Sequence, residues 1–104
     1  MQRNAFVMKL KPGCEAEYKQ RHDALWPELA AELRAAGIAD YAIFLDRRTG
    51  YLFAVQKLAE GNTAAALPGT AIVRKWWAYM ADIMETHADN SPVAEGLEEV
   101  FYMA

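Results

Sequence analysis

At 104 residues and 11.7 kDa the chain is expected to form one domain, with no room for a second fold. Area scaling leaves ~5,900 Å² exposed and hides about 65% of the unfolded surface, enough for one modest core. A net charge of −3, with eleven Lys and Arg spread along the chain, excludes nucleic acid and an anionic membrane surface as expected partners.

Three Trp, five Tyr and four Phe are many large rings for so small a core. No apolar run approaches the ~18 residues of a membrane span. Ala5 to Met8 is too short for a signal sequence, and Lys9 interrupts it. Cys14 stands alone, so no internal disulfide or cysteine-based metal cluster can form, and a reducing cytoplasm is the expected setting.

Arg3 to Lys11 reads as a first strand ended by Pro12-Gly13. Cys14 to Ala36 turns helical in composition, with Gly37 a suitable residue just past the end. Pro27 predicts a kink or a new helical start there. Two β-rich runs follow, Asp40 to Leu45 and Tyr51 to Val55, and their connector ending in Gly50 signals a hairpin. Residues 58–70 read as a loose connection with room for one short helical turn. From Thr70 to Met84, Ile72, Trp76, Tyr79, Met80 and Ile83 fall at i, i+4, i+7, i+8 and i+11, a helical stripe. Leu97 to Met103 reads as a last strand.

The order is β-α-β-β-α-β, an α+β ferredoxin-like arrangement. Two helices cover one face of a four-stranded sheet, yet both faces are apolar here. Ala5 and Val7 alternate with Phe6 and Met8, and Tyr41 and Ile43 with Ala42 and Phe44. Pairing of the open faces in a homodimer, a dimeric α/β barrel, is the simplest remedy.

Tyr18 and His22, at i and i+4, project from the same side of a helix. An imidazole titrates near neutral pH, and a phenol beside it can orient a ligand. The alternative is a core tyrosine with a polar tip and an exposed histidine. Trp76 and Trp77 diverge by roughly 100° on a helix, so one belongs to the apolar stripe and the other to its margin. Such rings stack on the C–H faces of sugars, and plain core packing is the alternative for either. Tyr41 lies either at a pocket mouth or in the sheet packing. Asp46, Arg47 and Arg48 read as a solvated hairpin, and His87 as an exposed loop residue. There is no glycine-rich phosphate loop, no GxSxG elbow and no HxxxH or CxxC spacing. What remains is a site expected to need neither cofactor nor metal, suited to proton transfer on a neutral polyol.

Five segments in order sharpen this: H-x-x-x-W-P-E-L (His22 to Leu29), Y-A-I-F-L-D (Tyr41 to Asp46), W-W-x-Y-M-x-D-I-M (Trp76 to Met84), D-N-S-P (Asp89 to Pro92) and E-V-F-Y (Glu99 to Tyr102). Together they resemble the L-rhamnose mutarotase family, nearly end to end over 1–104. Where that family is expected to carry a tryptophan-bearing helical segment, this chain has Gly61 and the run Ala64 to Ala66. The resemblance implies a cytoplasmic homodimer that interconverts the α and β anomers of L-rhamnose. It also implies His22 as proton donor, with Tyr18, Tyr41, Trp76 and Trp77 contacting the sugar. The alternatives are a cofactor-free monooxygenase and a non-catalytic ligand-binding domain on the same barrel.

Overall fold

The N-terminal apolar run forms β1 (Gln2–Lys9), and the Pro12-Gly13 turn, with Gly13 at φ +80°, carries the chain out of the sheet. The structure is a computed structural model describing residues 1–104. The helical stretch divides at its proline into α1 (Glu15–Asp23) and α2 (Pro27–Ala35). Pro27 opens α2, where a missing N–H costs nothing. Gly37, at φ +93°, ends α2 by donating to the Arg34 carbonyl at 3.0 Å. β2 (Ile38–Asp46) and β3 (Tyr51–Leu58) form the expected hairpin, closed by the Gly50 N–H on the Asp46 carbonyl at 2.8 Å. A 3₁₀ helix over Ala64–Gly69 leads into α3 (Ala71–Met80), and β4 is the short pair Glu95–Gly96.

All strands pair antiparallel in the order β2-β3-β1-β4, which is the ferredoxin-like topology. Two boundaries differ from expectation. The second long helix stops at Met80 because the chain is then drawn onto the end of β1. Ile83 accepts from the Lys11 N–H at 2.9 Å, Met84 bridges Leu10, and Glu85 donates to Lys9. The last strand occupies Glu95–Gly96 rather than Leu97 to Met103. With Glu95 opposite Val7 and Gly96 opposite Phe6, the register brings Val100 opposite Gln2, the first residue of β1, so nothing pairs beyond it. Leu97 still donates to Ala5 at 2.9 Å, and Arg3 holds Glu99 at 2.6 Å and lies over the Tyr102 ring. Val100, Phe101 and Met103 are exposed.

The strands bury one face only. On β3, Leu52, Ala54 and Gln56 lie under the helices, while Tyr51, Phe53 and Val55 face out. Met8, Leu10, Leu29, Val73, Trp76, Met80, Ile83 and Met84 complete the core on the helical side. Across the open face Phe44, Phe53 and Val7 form one row, and Ala42, Val55 and Ala5 the next. Phe44 is 62% exposed. The accessible surface is 6990 Å², well above the ~5,900 Å² of a compact monomer of this mass.

One irregularity in β2 places a residue of interest. Ala39 pairs with Lys57 and Ala42 with Val55, so Asp40 and Tyr41 together oppose Gln56. This is a β-bulge, and Asp40 takes the left-handed conformation at φ 48° with its carboxylate 3.2 Å from Lys57 Nζ. Simple alternation from buried Ile38 would point Tyr41 to the open face. The extra residue turns it to the helical side, where its ring meets Phe6 edge-on at 6.5 Å.

Candidate active site

Between the helices and the sheet lies a cavity of about 760 Å³, within the range of small-molecule sites. Tyr18, His22, Tyr41, Trp76 and Trp77 all line it. Five residues from three separate elements therefore meet in one place. Tyr18 and His22 come from α1, Tyr41 from the bulge in β2, and the tryptophans from α3.

His22 is held on three sides. Its ring stacks on Tyr18, centroids 4.2 Å apart, and meets Trp76 edge-on at 5.4 Å. Nδ1 lies 2.9 Å from the Tyr18 carbonyl oxygen. A carbonyl only accepts, so Nδ1 carries a proton and donates it, leaving Nε2 of the neutral ring as an acceptor for a ligand. Burial pushes the imidazole below its ordinary 6.5, against the opposing pull of the Tyr18 carbonyl and the Asp23 charge. Near neutral pH the resting ring is uncharged.

The two tyrosines answer the same burial in the opposite direction. Desolvation pushes Tyr18 above its ordinary 10.0, and nearby Tyr41 adds to the effect. Tyr41 is pushed up to about 12 by desolvation, although 39% of the residue remains open to solvent. Both are protonated phenols at neutral pH and act as hydrogen-bond donors, not as bases.

Trp76 is buried and Trp77 only partly so. Behind Trp76 stands Trp26, edge-on at 5.0 Å, with Tyr79 against both rings. Trp26 holds the wall without lining the cavity, and its i, i+4 spacing from His22 is the signal of it in the chain. Thr86 and Asn90 supply polar lining; Asn90 belongs to the D-N-S-P segment, whereas no motif marks Thr86. Asn90 sits in a tight turn at φ 70°, and it donates to the His87 carbonyl at 3.0 Å. Arg47 reaches the lining from the hairpin, whereas His87 is exposed and outside it. None of residues 58–70 lines the cavity. No three His, Cys, Asp or Glu side chains converge to hold a metal ion.

The profile of the L-rhamnose mutarotase family matches residues 3–103. The chain belongs to the L-rhamnose mutarotase family. An L-rhamnose mutarotase of Flavobacterium johnsoniae is 56% identical over 97% of this chain and 94% of its own length. The crystal structure of an L-rhamnose mutarotase from Formosa agariphila superposes with a TM-score of 0.94 at 50% identity, covering 100% of both chains. A Bordetella bronchiseptica structure assigned to the antibiotic biosynthesis monooxygenases gives a TM-score of 0.64 at 16% identity over 95% of this chain and 96% of its own. That second likeness is one of fold. Within the L-rhamnose mutarotase family, activity attaches to the site and not to the shared sandwich of helices on a sheet.

Proposed function

We propose that the chain interconverts the α and β anomers of L-rhamnose, with His22 as the proton-transferring group. The observation that carries this reading is the imidazole of His22, fixed through Nδ1 with Nε2 unengaged, in a cavity shared with two protonated phenols and two indoles. Family membership supports the sugar and the reaction class.

Mutarotation needs one proton moved and one ring bond broken. The anomeric hydroxyl loses its proton, its electron pair forms the C1 carbonyl, and the C1–O bond to the ring oxygen breaks. The ring oxygen takes up a proton. Rotation of the aldehyde end and reclosure on its opposite face reverse the steps. Both oxygens are bonded to C1, so Nε2 can take the proton from one and, as imidazolium, donate it to the other. Burial suits this exchange, because a lowered pKa makes the imidazolium a readier donor. Tyr18 and Tyr41 donate hydrogen bonds to sugar oxygens, while Trp76 and Trp77 flank the apolar edge of a 6-deoxy sugar. The step balances without redox equivalents or phosphate.

We propose further that the enzyme is a homodimer through its open sheet face. The exposed rows around Phe44 and Phe53, and the surface in excess of a compact monomer's, support that pairing. A cytoplasmic setting fits the unpaired Cys14 and a chain in which no helix is long and apolar enough to cross a membrane.

Saturation-transfer NMR of L-rhamnose anomers tests the assignment. His22→Ala should slow enzymatic exchange by about 10² to 10⁴-fold, the usual contribution of one positioned acid–base group. Exchange at the parent rate would remove His22 from the reaction. A panel of aldoses in the same assay defines the substrate range.

A further inference from the structure

The helix that carries His22 has little of its own to hold it in place. α1 reads EAEYKQRHD, with no apolar stripe, and Tyr18 is its one buried residue. Its backbone packing on other elements is sparse. With only Tyr18 as its buried anchor and the His22 ring itself as its aromatic contact on α3, the helix would be free to roll about its axis, and roll would swing His22 across the cavity. Something else must set its azimuth.

Arg21, next to His22, makes that connection. Its side chain is only 10% exposed. Nη1 and Nη2 grip the Asp82 carboxylate at 2.9 and 3.2 Å, Nη1 also donates to the Tyr79 carbonyl at 2.7 Å, and Nε donates to Glu17 at 3.0 Å. The guanidinium lies over the Tyr79 ring at 4.5 Å, the ring that packs on Trp26 and Trp76. The Tyr79 carbonyl belongs to the last turn of α3, where carbonyls lack helical partners and a cation is favoured. One planar fork thus ties α1 to the end of α3 and to the aromatic wall behind His22. A lysine offers a single point charge and cannot hold these partners together.

We propose that the Arg21–Asp82 pair is the clamp that sets the roll of α1 and thereby aims the His22 ring, making Arg21 a positioning residue for proton transfer. This rests on His22 being the proton-transferring group. Arg21 touches no substrate in this scheme. It acts on the rate through geometry, and on affinity only weakly.

The test compares Arg21→Met, Arg21→Lys and Asp82→Asn with the parent enzyme and, for Arg21→Met, repeats the comparison in a His22→Ala background. In the parent background kcat for anomer exchange should fall on the order of 10- to 100-fold for Arg21→Met, as for other small misplacements of a reacting group. Arg21→Lys and Asp82→Asn should lose less, and KM should stay within about twofold. The His22 ring-proton shifts, set by the ring currents of Tyr18 and Trp76, should move toward those of a free imidazole. In the His22→Ala background Arg21→Met should cost nothing further, because the group it aims is gone. An unchanged kcat in folded Arg21→Met, or the same fold-loss with and without His22, overturns the proposal while leaving His22 in its role. Parent-rate exchange by His22→Ala alone would instead strike the reading on which it rests.

Discussion

Truncating Trp76 to alanine removes a ring that is 9% exposed and in contact with His22, Trp26 and Tyr79. A tryptophan buries ~150–250 Å², worth about 4–6 kcal/mol at ~25 cal/mol per Å². Measured truncations of this kind cost about 3–5 kcal/mol, because the surroundings collapse only in part. A domain of this size commands about 5–15 kcal/mol in all. Trp76→Ala is therefore expected to lose a large share of its folding stability, from about a fifth to all of it, so that affinity has to be read against a destabilised fold. Trp77→Ala, at a partly exposed position, should stay folded and bind the sugar more weakly. Trp76→Phe keeps a ring against His22 and should fold, with slower exchange. Urea unfolding followed by circular dichroism, with the slope checked for constancy, measures the first effect, and anomer exchange against sugar concentration measures the second. Trp76→Ala within about 1 kcal/mol of the parent, with only its sugar affinity lost, would refute the burial argument and make Trp76 purely a pocket wall.

Because burial lowers the His22 pKa below 6.5, exchange should rise with pH as the imidazole deprotonates and reach its plateau at a lower pH than an ordinary imidazole would give. The folded chain binds fewer protons at His22 than the unfolded one in that window, so stability also rises with pH; a rate inflection above 6.5 contradicts both. Gly37→Ala meets a φ of +93° and a Cβ contact of 2.9 Å with Asn62, and should cost about 1–3 kcal/mol in thermal unfolding. Gly61→Ala shares the positive φ but faces open space, so an equal loss at both sites would discount the contact. Phe44→Glu, at a residue 62% exposed, should leave each subunit folded while sedimentation shows monomers; an intact dimer would place the interface elsewhere.

Much of the fold was legible because each boundary has a local cause. Pro27 marks a kink or a helical start, Gly37 and Gly50 supply the positive φ that their turns need, and period-2 runs flank the hairpin. The ends that moved are those decided by pairing partners far along the chain. Ile83 and Met84 continue the helical spacing of α3 but are claimed by Lys11 and Leu10, and the register of the last strand runs off the start of β1 at Val100, short of the expected Met103. Tyr41 shows the same limit within the site. Its side of the sheet depends on one extra residue at Asp40, and nothing in Asp40-Tyr41 announces a bulge. The i, i+4 spacing of Tyr18 and His22 did reveal their shared face. It gave no sign of the Nδ1 hydrogen bond that decides which nitrogen is left for a ligand.

The large rings, many for so small a core, serve two ends with the same atoms. Tyr18 is the one buried anchor of α1 and also the surface on which His22 stacks. Trp76 closes the core under α3 and meets the edge of the same imidazole. In a chain that buries only 15 of 104 residues, a side chain given wholly to a pocket would leave too little core. Making the core and the wall of the cavity continuous removes that conflict, and it explains why a helix without an apolar stripe can carry the group proposed to transfer the proton. Its attachments are the site itself, together with the Arg21 fork one residue away. The same economy makes activity and folding hard to separate at Tyr18 and Trp76, and easier to separate at Trp77, Tyr41 and Asp82, where more of the side chain is open to water.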